Sequence, residues 1–177
     1  GVQTCALPSS LYGDTALIGA EFDDDNGKSA SGSVYVFTRS SADGTFTQQA
    51  KLHASDPEAS DRFGFSVSIY NNTALIAAYT DDDNSKTDSG SVYVFTRSTA
   101  DGTFTEQSKL RASDPAEDDR FGKSGSLYGD TALIGAYQDN NTGSVYVFTR
   151  PSSDGTFTQQ SKLHASDPAA EDNFGAS

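Results

Sequence analysis

The chain has 177 residues, enough for one domain with a real core, and 34% of them are apolar. Its formal net charge of −13 argues against a nucleic-acid partner, whose phosphates need Lys and Arg opposite them. No apolar run reaches the length of a membrane-spanning helix, and Cys5, the one cysteine, excludes an intrachain disulfide. Cys5 reads either as a buried small hydrophobe or as an interchain disulfide partner. The start at Gly1 and the lack of Met suggest a processed mature product or an excised piece.

In chain order, a repeat dominates. Thr-Ala-Leu-Ile begins at Thr15, Thr73 and Thr131, and Gly-Ser-Val-Tyr-Val-Phe-Thr-Arg stands unchanged at Gly32–Arg39, Gly90–Arg97 and Gly143–Arg150. Asp-Gly-Thr-Phe-Thr begins at Asp43, Asp101 and Asp154, and Ser-Asp-Pro at Ser55, Ser113 and Ser166. A repeat this long points to a solenoid or propeller built from one small unit.

The second unit shows the expected elements best. Phe63–Ile69 alternates large apolar and small residues and reads as a first strand. Asn71-Asn72 turns the chain where the other units place Gly13-Asp14 and Gly129-Asp130, all residues that tolerate positive φ. Thr73–Ala78 is a second strand packed on both faces, and an acidic loop leads to a third strand at Gly90–Arg97. Asp101-Gly102 makes a hairpin, Thr103–Ala112 the fourth strand, and Ser113-Asp114-Pro115 ends it. No segment has a helical period. The expected fold is all-β, with four-stranded antiparallel blades of β-propeller type in about three repeats, Val on one blade face and Tyr or Phe on the other.

Phe63-Gly64, Phe121-Gly122 and Phe174-Gly175, with strand ends Gly19-Ala20, Ala77-Ala78 and Gly135-Ala136, resemble FG-GAP repeats, the blades of the integrin α-chain propeller and of many secreted proteins. The resemblance divides the chain into a first blade at 1–60 with a degenerate first strand (Cys5-Ala6 in place of Phe-Gly), a second at 61–118, a third at 119–171, and the first strand of a further blade at 172–177. It implies an extracellular or cell-surface protein and leaves open a fragment of a longer propeller or a polymerising subunit. Calcium-binding blades of this family carry Ca2+ in the loop between second and third strands. Here Asp81, Asp83, Ser85 and Asp88 match that loop, and Asp23 and Asp25 match it less completely; clustered carboxylates are hard oxygen ligands of the kind calcium takes. The alternative is a solvated acidic turn. The third loop shrinks to Asp139-Asn140-Asn141, which offers too few oxygen ligands to be expected to hold an ion.

Two sequons begin at Asn71 and Asn140, both on expected loops. His53 and His164 share a position with Arg111, which points to an exposed strand site rather than a catalytic base. With no nucleophile–base pair and no cofactor motif, the chain reads as a non-enzyme. The expected function is a non-catalytic structural or adhesion protein acting through self-association or protein contact. The alternative is a carbohydrate-binding propeller module, although Tyr12, Tyr70 and Tyr128 suit blade packing better than sugar stacking.

Overall fold

A sheet that is apolar on both faces needs a neighbour on each side, and that requirement shapes this chain. The computed structural model describes residues 9–25, 27–83, 85–153 and 155–177; Cys5, Ala6, Asn26, Asn84 and Asp154 lie outside them. The described residues form three four-stranded antiparallel sheets. Blade one is β1 (Ser9–Tyr12), β2 (Thr15–Ala20), β3 (Ser33–Arg39) and β4 (Phe46–Leu52). Blade two is β5 (Ser66–Tyr70), β6 (Thr73–Ala78), β7 (Ser91–Arg97) and β8 (Phe104–Leu110). Blade three is β9 (Phe121–Tyr128), β10 (Thr131–Ala136), β11 (Ser144–Thr149) and β12 (Thr158–Leu163). Each sheet is a meander in sequence order, and each pairing of third with fourth strand carries a register shift between the second Val and the Phe. A short 3-10 turn, Asp139–Asn141, replaces the acidic loop in blade three.

The first strands converge. Ile69 N donates to Ser10 Oγ at 3.1 Å, and Leu127 N donates to Ser68 Oγ at 3.0 Å, so β1, β5 and β9 lie side by side. Tyr12, Tyr70 and Tyr128 stack along them with ring centroids 5.1 and 5.0 Å apart. The three rings thus touch one another across the blades, with Tyr12 40% and Tyr128 77% exposed.

The two faces of each blade do different jobs. Leu17, Val34, Val36, Leu52 and Ala54 of blade one bury against Ile69, Ala74, Ile76, Tyr93, Phe95 and Phe104 of blade two. One seam further on, Leu75, Val92, Val94, Leu110 and Ala112 meet Leu127, Ala132, Ile134, Tyr146, Phe148 and Phe157. Val on one face and Tyr or Phe on the other is thus the two sides of a seam.

In blade three Phe121-Gly122 opens the first strand, β9, as expected, but at Phe63 and Phe174 the Phe-Gly motif lies outside any strand. Phe63 precedes β5 and pairs instead with Gly32 of the preceding blade, as Phe174 pairs with Gly143. Ser60, Arg62 and Phe63 donate their N–H groups to the carbonyls of Ser29, Ala30 and Ser31, and Asp118, Arg120 and Phe121 repeat the pattern on Thr87, Asp88 and Ser89. Residues 172–177 likewise form no strand: Phe174 N donates to Thr142 O. The physical reason is backbone contact. A Cβ on Gly90 would sit 2.1 Å from Phe121 O, and Gly90 holds φ +82, so only glycine permits the approach. The Phe63 ring then packs edge-on against Tyr93 at 5.3 Å, and Phe121 does so against Tyr146 at 5.4 Å.

Gly90→Ala should therefore cost more than ~3 kcal/mol, from left-handed strain plus loss of the hook. Gly102→Ala, at φ +77 with open space around it, should cost only ~1 to 2 kcal/mol. Urea denaturation of the two variants measures the difference; equal losses would contradict the hook.

Candidate functional site

The acidic loops sit where each blade receives the next, and their carboxylates face lysines. In blade two, Lys109 Nζ lies 2.7 Å from Asp81 Oδ2, 3.0 Å from Asp56 Oδ2 and 3.8 Å from Asp83 Oδ1, with its side chain only 10% exposed. Asp83 also pairs with Arg111. In blade one, Lys51 Nζ lies 2.7 Å from both Asp23 and Asp25. In blade three, Lys162 Nζ lies 2.7 Å from Asp139 and 2.8 Å from Asp114. One ammonium thus stands among the carboxylates of every loop.

Asp56 and Asp114, from the first two Ser-Asp-Pro segments, complete these clusters across the seams. The Tyr93 hydroxyl donates to Asp56 Oδ1 at 2.7 Å and the Tyr146 hydroxyl to Asp114 Oδ1 at 2.9 Å. Lys109 lies 4.9 Å from the Tyr93 ring centroid. Further polar contacts repeat at both seams. Ser55 N donates to Glu106 at 3.0 Å and Ser113 N to Gln159 at 3.0 Å, while Arg97 donates to Thr15 and Arg150 to Thr73.

Burial and charge act against each other here. Burial pulls the Lys109 ammonium toward lower pKa, but Asp81 and Asp56 outweigh it and hold the group above the usual lysine value. Burial raises the Asp81 carboxyl despite Lys109. Burial also pushes Asp61, beside the same cluster, up to about 6, so its ionisation works against stability as pH rises from about 4 toward 6.

Of the expected calcium ligands, the structure brings Asp81 and Asp83 together on Lys109, and Asp23 and Asp25 together on Lys51. It does not bring Asp88 to them: Asp88 Oδ2 faces Arg120 Nη2 at 3.7 Å. Ser85 is an exposed turn residue at φ +60. Asp82 spends its Oδ1 on the N–H of Asp88 at 2.9 Å, closing the loop. Calcium takes six to eight oxygens. The described residues do not fit such a site, because a lysine already stands at the focus of the carboxylates. Sequence reasoning missed Lys51, Lys109 and Lys162, although a Lys-Leu pair recurs at the end of every fourth strand.

His53 and His164 are exposed. His164 Nδ1 lies 3.0 Å from Ser144 Oγ, but Ser144 is fully buried and its hydroxyl donates to Asp139. That oxygen has no open approach for an acyl group. Asn71 and Asn140 both sit on exposed turns, with φ of +55 and +51. A polar cleft of about 670 Å³ opens between blades two and three, lined by Tyr70, Asn71, Thr96, Gln107, Arg150 and Phe157 among others.

Three sheets of this kind, joined seam to seam, define a blade array of β-propeller type. The sequence matches the family model described as FG-GAP repeat over residues 9–37, 46–95 and 104–148, well over half of the chain. The chain belongs to the FG-GAP repeat family. No curated protein matches it. Among solved structures it is similar to a proposed 6-phosphogluconolactonase from Bacteroides fragilis, at TM-score 0.59 and 16% identity over 88% of this chain and 37% of that one. It is also similar to Sqt1 of Saccharomyces cerevisiae, at TM-score 0.54 and 14% identity over 89% of this chain and 34% of that one. The likeness is one of fold, and the chain spans little more than a third of either protein. Among the described residues, no helix is long and apolar enough to cross a membrane.

Melting temperature should be unmoved by millimolar calcium or by chelator, since an ion would have to displace Lys109. Lys109→Met should cost ~3 to 5 kcal/mol by leaving buried carboxylates without their cation, and calcium should recover part of that loss. A calcium shift of several degrees in the unaltered chain, read by calorimetry, would contradict this account of the loop.

Proposed function

We propose that the chain is a non-catalytic structural or adhesion module that acts outside the cell through its blade faces. One observation supports the reading above others: the outward faces of blades one and three carry the same apolar residues as the buried seams. Leu11 is 63% and Phe46 46% exposed on the first, Leu133 42% and Leu163 43% on the second. Soluble chains rarely leave such patches bare, so these faces are contact surfaces. The many secreted members of the family support the extracellular setting, which suits glycans at Asn71 and Asn140. The lactonase name of one structural neighbour belongs to that neighbour, and at such distance carries no activity to this chain.

The polar cleft beside Tyr70 supports carbohydrate binding as a second reading, because its amides and hydroxyls match sugar hydroxyls.

Sedimentation velocity of the chain over a concentration series tests the leading reading. A mass that rises with concentration is expected. A compact monomer at every concentration, together with binding in a glycan screen, would overturn it in favour of the second.

A further inference from the structure

The two outward faces are complementary to each other. At each internal seam one side presents Leu, Val, Val, Leu and Ala, and the other presents Ile or Leu, Ala, Ile, Tyr, Phe and Phe. Blade three presents the first set unchanged, as Leu133, Val145, Val147, Leu163 and Ala165, all exposed or half-exposed. Blade one presents the second set as Leu11, Ala16, Ile18, Tyr35, Phe37 and Phe46, and most of these line an open groove of about 470 Å³. No substitution separates the free plug on blade three from the two plugs already buried. The free socket on blade one is identical to the buried one on blade three and differs from that on blade two only by Leu for Ile.

The polar contacts have matching halves as well. Asp56 and Asp114 each receive a tyrosine hydroxyl and a lysine from the following blade. Asp167 stands exposed at the same place on blade three, and blade one presents Tyr35 and Lys51. Arg97 and Arg150 reach back to Thr15 and Thr73; Arg39 and Thr131 are the exposed counterparts. Ser166 and Gln48 correspond to Ser55–Glu106 and Ser113–Gln159. The half-exposed Phe174 is already hooked to Gly143, as Phe63 is to Gly32.

We propose that blade three of one copy docks on blade one of a second copy, so that copies of the chain associate head to tail through a seam like the two within the chain. The proposal rests on the reading above that the outward faces are contact surfaces, and it names their partner. The contact is heterologous: one face meets a different face, so growth continues until the rotation closes a ring or gives a filament. The acidic net charge opposes association at low ionic strength, and salt should strengthen it.

The test uses the full chain and two charge-blocked variants at exposed positions, Leu163→Glu on the plug and Phe46→Glu on the socket, each checked for an unchanged circular dichroism spectrum. Sedimentation velocity at high micromolar concentration should show association of the unaltered chain. Each variant alone should be monomeric. An equimolar mixture should stop at a dimer, since the Leu163→Glu copy still offers a socket and the Phe46→Glu copy still offers a plug. Asp167→Asn, a milder change, should weaken association about tenfold. A Leu163→Glu variant that still dimerises alone would overturn the head-to-tail arrangement and leave the contact reading intact. An unaltered chain that stays monomeric would overturn the head-to-tail seam, and the contact reading falls with it if a glycan screen is also positive.

Discussion

Neighbouring blades meet where two backbones touch without a side chain between them. Gly32, Gly90 and Gly143 hold φ between +82 and +88, and each lets the carbonyl of a following phenylalanine come closer than any Cβ would allow. That approach fixes the height at which Phe63 and Phe121 enter the seam, and so sets which face of the next blade they cover. The seams add apolar burial, about 25 cal/mol for each Å² of apolar surface removed from water. The hook and the burial act together, since the hook is a few hydrogen bonds and helps set the register of the faces.

The acidic loops belong to the same construction. Their backbone carbonyls receive the segment leading into the next blade, and their side chains surround a lysine from the fourth strand. Asp56 and Asp114 tie that lysine and a tyrosine hydroxyl to the preceding blade. A metal ion could do the same work of gathering oxygens; here an ammonium does it. Desolvation makes such clusters weak sources of net stability, so their contribution is better understood as fixing how one blade sits on the next.

Much of this was legible in the sequence. Four strands per unit, their turns and the division of Val from Tyr and Phe all followed from alternation and from residues that accept positive φ. Two things were not legible. Phe63 continues the alternating pattern of β5, so it reads as the start of that strand; only the preceding blade, distant in sequence, shows that it pairs elsewhere. Asp81, Asp83 and Asp88 fall at alternating positions suited to an ion, but spacing cannot show that Lys109 folds across to them while Asp88 turns to Arg120. The recurrence of lysine beside leucine was visible, and its meaning depended on the sheet bringing the fourth strand beside the loop. The outward faces could be recognised as apolar, but their correspondence to the buried seams needed the packing.

If the seam is the unit of stability, damage on one side should be felt on the other. Amide hydrogen exchange of Phe121→Ala, whose ring lies within 6 Å of both Tyr146 and Phe148, tests this most directly. The account predicts faster exchange in β7 of blade two as well as in β10 and β11 of blade three, with β2 and β3 of blade one little changed. Faster exchange confined to blade three would contradict it, and would mean that each blade stands by itself.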